Sequence, residues 1–184
     1  MPKYTLLGIS GALRKASTNT MLVHQAAAAF APEKFIFADL RLPLYDADIE
    51  EQDGIPPMVQ TLADQIKEAD AVVISTPEYN KNLPGVLKNA LDWVSRTKGA
   101  PWRDKPVAIV SAADGRAGGE RSQFSLRHCM TPFRPRILQG PEVMIAHCRS
   151  AFDENGQLLD ERSQKAVETL MTALRNEVDL LRTV

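Results

Sequence analysis

Apolar and polar positions along the chain change period repeatedly. Tyr4 to Ile9 is an apolar, strand-like run, and Ser10 to Ser17 is a polar loop. Asn19 to Phe30 then takes helical spacing, opened by Ser and Thr caps and rich in alanine. Lys34 to Leu40 reads as a second strand, and Arg41 to Pro56 has no regular period. From Pro57, the residues Val59, Leu62, Ala63, Ile66 and Ala69 fall on one face of a helix. Ala71 to Ser75 is an uninterrupted apolar strand. From Pro84, a helix carries Val86, Leu87, Ala90, Leu91 and Val94 on one side and Lys88, Asp92 and Arg96 on the other. An Asp92–Arg96 pair is expected along that outer face. Pro106 to Ser111 is a fourth strand and Glu120 to Met130 a helix. Arg136 to His147 is a fifth strand interrupted at Gly140-Pro141, because proline cannot donate to a central ladder. The last helix spans about Ser163 to Leu181. Five strands and five helices in alternation predict a single α/β domain over residues 1–184. Its sheet is parallel and doubly wound, in strand order 2-1-3-4-5.

Composition narrows the function without naming it. The chain has 184 residues, 44% of them apolar, enough for one sizeable core. Lys plus Arg is 22 against 23 for Asp plus Glu, so nothing favours nucleic acid or another polyanion as the main partner. No apolar run approaches the ~20 residues of a membrane span, and Met1-Pro2-Lys3-Tyr4 leads straight into a strand. The two cysteines, Cys129 and Cys148, form no CxxC, and the histidines at 24, 128 and 147 have no ligand spacing. The expectation is a cytoplasmic protein with reduced thiols and no metal.

In a doubly wound sheet, ligands bind at the carboxyl ends of the strands. Three polar loops lie there. The first, Ser10 to Thr20, resembles an anion cradle. Backbone N–H groups at a helix start meet Ser10, Ser17, Thr18, Asn19 and Thr20, and Arg14 offers a forked cationic donor. It matches neither GxxxxGK[ST] nor GxGxxG, so a phosphate monoester fits better than a pyrophosphate. The same residues also serve an ordinary N-cap. The second loop presents Pro77, Glu78, Tyr79 and Asn80. The third, Ser111-Ala112-Ala113-Asp114-Gly115-Arg116-Ala117-Gly118-Gly119, offers backbone donors. A planar heteroaromatic ring needs such donors along one edge and a wall to pack against.

Three segments together resemble the NADPH-dependent FMN reductase family: Gly11 to Asn19, Thr76-Pro77-Glu78-Tyr79-Asn80, and Pro84-Gly85-Val86-Leu87-Lys88-Asn89-Ala90-Leu91-Asp92-Trp93. The likeness is greatest to the bacterial quinone and chromate reductase branch, which includes azoreductases. Pro43 to Asp48 and Gly118 to Gln123 are similar too, so the resemblance covers about Leu6 to Glu142. It implies a flavodoxin-like fold, bound FMN, and dimers that pair into tetramers. Arg14, Ser17, Thr18 and Asn19 would hold the phosphate. Pro77 to Asn80 would line the isoalloxazine, and Ser111 with the Ala112 to Gly115 backbone would complete the ring site. Ala12 departs from the family, which usually has serine there. The Ser10 hydroxyl or the Ala12 N–H would have to take its place.

The implied chemistry is ping-pong. NADPH or NADH delivers hydride to the flavin and leaves, and a quinone or similar small oxidant (chromate, an azo compound, free flavin) takes two electrons in the same slot. No side-chain acid or base is required, so no catalytic residue is assigned. Lys81, Arg116 and Arg121 are candidates for the 2′-phosphate of NADPH, as are other surface basic residues, and each taken singly reads first as a solvated surface charge. Two alternatives stay open, an electron carrier without nicotinamide turnover and a binding domain without cofactor.

Overall fold

The computed structural model describes residues 3–183, so the opening Met1 and Pro2 lie outside it. Its strands are β1 (Thr5–Ser10), β2 (Lys34–Phe37), β3 (Ala71–Thr76), β4 (Pro106–Ala112), β5 (Arg136–Ile137) and β6 (Val143–Ile145). Its helices are α1 (Thr18–Phe30), α2 (Ala47–Asp53), α3 (Pro57–Glu68), α4 (Gly85–Ser95), α5 (Glu120–Met130) and α6 (Glu161–Arg182). All strand pairs are parallel, in the order β2-β1-β3-β4-β5, with β6 also pairing β4. This is the expected flavodoxin-like order. No helix among the described residues is long and apolar enough to cross a membrane.

Strand alternation explains the layers. Along β3, Ala71 and Val73 face one side of the sheet while Val72 and Ile74 face the other. The first side is covered by α1 and α6, through Leu22, Val23, Phe30, Leu170, Met171 and Leu174. The second is covered by α3, α4 and α5, through Leu62, Ile66, Leu87, Leu91, Leu126 and Met130. With both faces covered, β3 and β4 are buried at every position. Each large apolar side chain fully buried this way contributes about 1.5–3 kcal/mol relative to exposure.

The structure departs from the sequence reading in four places. The stretch 41–56 contains α2, so there are six α-helices among the described residues. No residue of α2 is buried, so it carries no apolar stripe to read. Its first turn is instead capped by the Asp46 carboxylate, which accepts from Asp48 N–H at 3.0 Å. The fifth strand position is filled by two short segments, β5 and β6, with the interruption falling where Gly140-Pro141 was expected to break the ladder. β2 ends at Phe37 rather than Leu40. Arg96 does not pair with Asp92. Its Nε donates to the Glu50 carboxylate at 2.9 Å, while Asp92 accepts from Lys88 at 2.7 Å.

That Arg96–Glu50 bond belongs to a small polar cluster that fastens α2 and its approach to α4. The Tyr45 hydroxyl donates to Glu50 at 3.0 Å, and the Tyr45 ring meets the fully buried Trp93 edge-on at 5.0 Å. Asn89 and Trp93, one turn apart on α4, both donate to the Pro43 carbonyl, at 2.9 and 2.8 Å. The Asn-Ala-Leu-Asp-Trp segment therefore has a structural task, holding the irregular stretch against the helix.

The Arg96 guanidinium, aided by the Tyr45 hydroxyl, holds the Glu50 carboxyl below its ordinary range, against partial burial. A depressed carboxyl stabilises the fold above its unfolded pKa and loses that contribution as pH falls through the folded value. Glu50→Gln should therefore be less stable than the native chain at pH 7. The gap should close as pH falls below about 4.3. Denaturant unfolding at a series of pH values reads both, and a gap that persists unchanged in acid would show that Glu50 acts through something other than its charge.

Candidate active site

The carboxyl ends of β1, β3 and β4 meet over a layer of buried polar side chains. Asn19, in the first turn of α1, is 3% exposed. Its Nδ2 donates to the Ala112 carbonyl at 2.9 Å, and its Oδ1 accepts from the Ser75 hydroxyl at 2.8 Å and the Ala112 N–H at 3.1 Å. One amide thus fixes α1 to the ends of β3 and β4. Beside it, the Ser111 hydroxyl donates to the Gly118 carbonyl at 2.6 Å and accepts from Gln123 Nε2 at 2.9 Å. The Ser122 hydroxyl donates to the Pro77 carbonyl at 2.8 Å and lies 2.6 Å from the Thr76 hydroxyl. These bonds set the paths of the second and third loops from below.

Close backbone approach completes the frame. Gly11 N–H donates to the Ser75 carbonyl at 2.8 Å, and a Cβ at Gly11 would stand 2.6 Å from Leu87 and 2.9 Å from Pro77. Any larger residue would push the first loop away from the second. At the third loop, Gly118 and Gly119 have φ of 59° and 98°, with the β6 backbone and Ser111 where their Cβ atoms would be.

Between Tyr79 and Asn82 the chain makes a two-residue turn. Tyr79 N–H donates to the Asn82 carbonyl at 3.0 Å, and Asn82 N–H to the Tyr79 carbonyl at 3.1 Å. The central residues, Asn80 and Lys81, have φ of 50° and 69°, which makes the turn type I′. Asparagine suits the first position and glycine the second. Lysine there costs about 1 kcal/mol relative to an unstrained backbone.

Above this frame lies a cleft of about 550 Å³, within the usual range for small-molecule sites. Its electropositive end is the start of α1, capped by Ser17, whose hydroxyl accepts from Asn19 N–H at 3.2 Å. Arg14 stands there, and its guanidinium makes no hydrogen bond or ion pair among the described residues. The rest of the lining comes from three loops: Pro77, Glu78 and Tyr79 after β3, Ala112, Ala113 and Asp114 after β4, and Cys148, Arg149, Phe152 and Asp153 after β6. Arg149 and Asp114 pair at 3.2 Å on the rim. The Glu78 carboxylate accepts from Arg121 N–H at 3.2 Å, in the first turn of α5. A second cleft, of about 600 Å³, lies between the second and third loops and shares Glu78, Ala113 and Asp114 with the first.

A family model described as NADPH-dependent FMN reductase matches residues 4–150. The chain belongs to the NADPH-dependent FMN reductase family. It is 41% identical to an NAD(P)H-dependent FMN reductase of Pseudomonas aeruginosa over 179 residues, 96% of both chains. It is 36% identical to a quinone reductase of Escherichia coli, over 93% of both chains. Among solved structures it is similar to FerB, a flavoenzyme NAD(P)H:(acceptor) oxidoreductase of Paracoccus denitrificans, with a TM-score of 0.84 and 29% identity over 96% of this chain and 97% of that one.

Within this FMN reductase frame, the residues singled out from sequence fall into four groups. Ala12, Arg14, Ser17, Thr18, Asn19, Pro77, Glu78, Tyr79 and Ala112 line the first cleft. Asn80 and Gly115 line the second. Ser10 and Thr20 face a third cleft, on the β2 side, with Arg41 and Phe37. The Ser10 hydroxyl is engaged there, accepting from Thr20 at 3.0 Å and from Ala12 N–H at 3.3 Å. Ser111 is fully buried beneath the site and touches none of it. Asn19 reaches the cleft, but its side chain serves the frame. Sequence reasoning missed the wall after β6: Cys148, Arg149, Phe152 and Asp153, with Met21 from α1. The signal was available, since these residues follow the carboxyl end of a fifth strand as the others follow the first, third and fourth. His128 is exposed on α5, and Cys129 packs partly against the apolar layer on its side of the sheet.

Replacing Asn19 by alanine should leave the Ala112 backbone and the Ser75 hydroxyl without partners. The expected loss is about 2–4 kcal/mol of stability by urea unfolding. Ser75→Ala, which removes only one donor, should lose about 1 kcal/mol. Equal losses in the two variants would show that Asn19 does not hold the frame.

Proposed function

We propose that this chain is one FMN-binding domain that oxidises NADPH or NADH and reduces quinones or similar small oxidants, its two substrates using one face of the site in turn. Chromate, azo compounds and free flavin are further candidate acceptors. The observation that carries the reading is the convergence in a single cleft of Arg14, unpaired among the described residues, the amino end of α1, and the side chains of Pro77, Tyr79, Ala112, Ala113 and Phe152. The donor set fits FMN. A phosphate needs a cation and free N–H groups, and a planar ring needs flat walls with backbone donors at its edge.

Arg14, Ser17 and Thr18 would hold the phosphate. The charged fork of Arg14 supplies the strongest contact, and α1 adds the partial positive charge of its amino end. Pro77, Tyr79, Ala112 and Ala113 would flank the ring, and the backbone from Ala112 to Gly115 would line its polar edge. Bound FMN supplies two-electron hydride chemistry that no side chain of the protein can perform. The protein's part is to orient, to exclude water from one face, and to stabilise negative charge with backbone dipoles. No side chain need give or take a proton, and none in the cleft is assigned that task. Ala12 leaves one neutral hydrogen bond to phosphate unmade, worth about 0.5–1.5 kcal/mol, which loosens binding without abolishing it.

The two cysteines are free thiols, which supports a cytoplasmic setting. Leu44 and Ile49, exposed beside α4, support a homodimer or homotetramer.

The purified protein should show flavin absorption that bleaches on anaerobic addition of NADPH and returns with a quinone. NADPH left unoxidised, with and without quinone, would instead favour an electron carrier. Arg14→Ala should weaken FMN by about 1.5–3 kcal/mol, roughly 10- to 150-fold, in a fluorescence titration. Unchanged affinity would remove Arg14 from the phosphate site. Tyr79→Ala should alter acceptor kinetics while leaving the melting temperature in place, because the side chain is 53% exposed.

A further inference from the structure

A fourth cleft, of about 630 Å³, opens beside β5 at the carboxyl end of α5 and shares no residue with the three described above. Three arginines line it, Arg127, Arg134 and Arg136, against one carboxylate, Glu177. Arg136 already holds that carboxylate in an ion pair. Arg127 is the telling member. Arg96, Arg136 and Arg182 are exposed, and each meets a carboxylate. Arg127 is set deeper than any of them and pairs with none among the described residues. Of its five N–H groups, one on Nη1 donates to the Leu138 carbonyl at 3.0 Å, and the rest make no hydrogen bond among the described residues. Burying a charge without a counter-charge is costly. Burial pushes this guanidinium below its ordinary range, and Glu142 opposes the shift only from beyond ion-pair distance. An anion in the cleft would supply the counter-charge that the chain does not.

Arg134 adds a second cation on a fixed base. Its N–H donates to the Thr131 carbonyl at 3.3 Å, and its carbonyl accepts from Asp104 N–H at 3.1 Å. Both bonds hold it in left-handed backbone at φ 57°, while its exposed guanidinium has no partner among the described residues. β5 adds a backbone donor. The N–H groups of Arg136 and Leu138 donate to the Lys105 and Val107 carbonyls of the β4 side, each at 2.9 Å. The Ile137 N–H between them therefore points away from β4, to the open edge of the sheet. Pro135, Ile137 and Leu138 are half-buried and give the cleft an apolar side.

We propose that this cleft binds a small organic anion, an oxyanion head group (phosphate or carboxylate) carried on an apolar body. Two guanidinium forks, from Arg127 and Arg134, and the Ile137 N–H take the head group. The body lies on Pro135 and Leu138. The site is separate from the one that serves the redox chemistry: β5 pairs with the start of β4, so the cleft lies at the opposite end of the sheet from the loops after β1, β3 and β4.

The test titrates phenyl phosphate, inorganic phosphate, benzoate and acetate calorimetrically into the purified protein, with FMN in excess so that the loop after β1 does not compete for the probes. Phenyl phosphate should bind more tightly than inorganic phosphate, or benzoate more tightly than acetate, and the tighter of the two aromatic probes identifies the head group. Arg127→Gln and Arg134→Gln should each weaken that probe by about tenfold. Arg134→Gln should keep the native melting temperature, because its side chain has no partner to lose. Arg116→Gln, in the second cleft, should leave the affinity unchanged. The saturating probe should raise the melting temperature of the native chain and raise that of Arg134→Gln by less. No binding by the native chain would overturn the proposal, as would equal affinity in the native chain and Arg134→Gln, or loss of binding in Arg116→Gln. Inorganic phosphate and acetate binding as tightly as their aromatic counterparts would overturn the part given to Pro135 and Leu138.

Discussion

The hydrogen bonds of Asn19 are the constraint on which the site depends. A parallel sheet holds its strands together along their length, but its carboxyl ends are open, and the loops leaving them have no ladder to follow. Here one buried amide joins the first turn of α1 to Ser75 at the end of β3 and Ala112 at the end of β4. An amide carries donors and an acceptor on one rigid plane, so it can satisfy a backbone N–H, a backbone carbonyl and a hydroxyl together. Fixing those three points fixes the relative height of the loops that follow β1, β3 and β4. Ser111 with Gln123, and Thr76 with Ser122, repeat the device further along the sheet, under the other half of the site.

Two layers of polar residues therefore do different work at one sheet edge. The lower layer is buried, mutually bonded and geometrically exacting. The upper layer, with the side chains of Arg14, Tyr79, Arg116 and Arg121, is exposed and without hydrogen-bond partners among the described residues. Composition does not separate the layers, because serine, threonine and asparagine occur in both: Asn19, Ser75 and Ser111 are bonded below, while Ser17, Thr18 and Asn80 line the clefts. This is why Ser10, Thr20 and Ser111 read from sequence as donors to a ligand while the structure engages them with the protein itself.

The fold was far more legible than the site. β3 and β4 announce themselves as unbroken apolar runs because both faces are covered. The stripes of α3 and α6 follow from burial on one side only. By contrast, α2 buries nothing and is held by Glu50 and by the approach through Tyr45, contacts that no local period can reveal. At the site, the loops after β1, β3 and β4 could be found because strand ends in this architecture are where ligands sit. The wall from Cys148 to Asp153 follows a strand end in the same way, and the pairing of β6 with β4 sets its position. That pairing continues past the strand, with Ala113 N–H donating to the Ile145 carbonyl at 3.0 Å, and it brings the last loop over the third.

The division of the fifth strand into β5 and β6 has a consequence for how the molecule behaves at high concentration. The edges of an open sheet offer unpaired backbone groups that can recruit a strand from another copy. Here one edge is broken into segments of two and three residues, with Pro141 in the gap, and the opposite edge, β2, is four residues long. Neither presents a long flat ladder. The sheet is thereby guarded against edge-to-edge aggregation at both ends, and copies of the chain can approach one another through helices and loops without risk to the strands beneath.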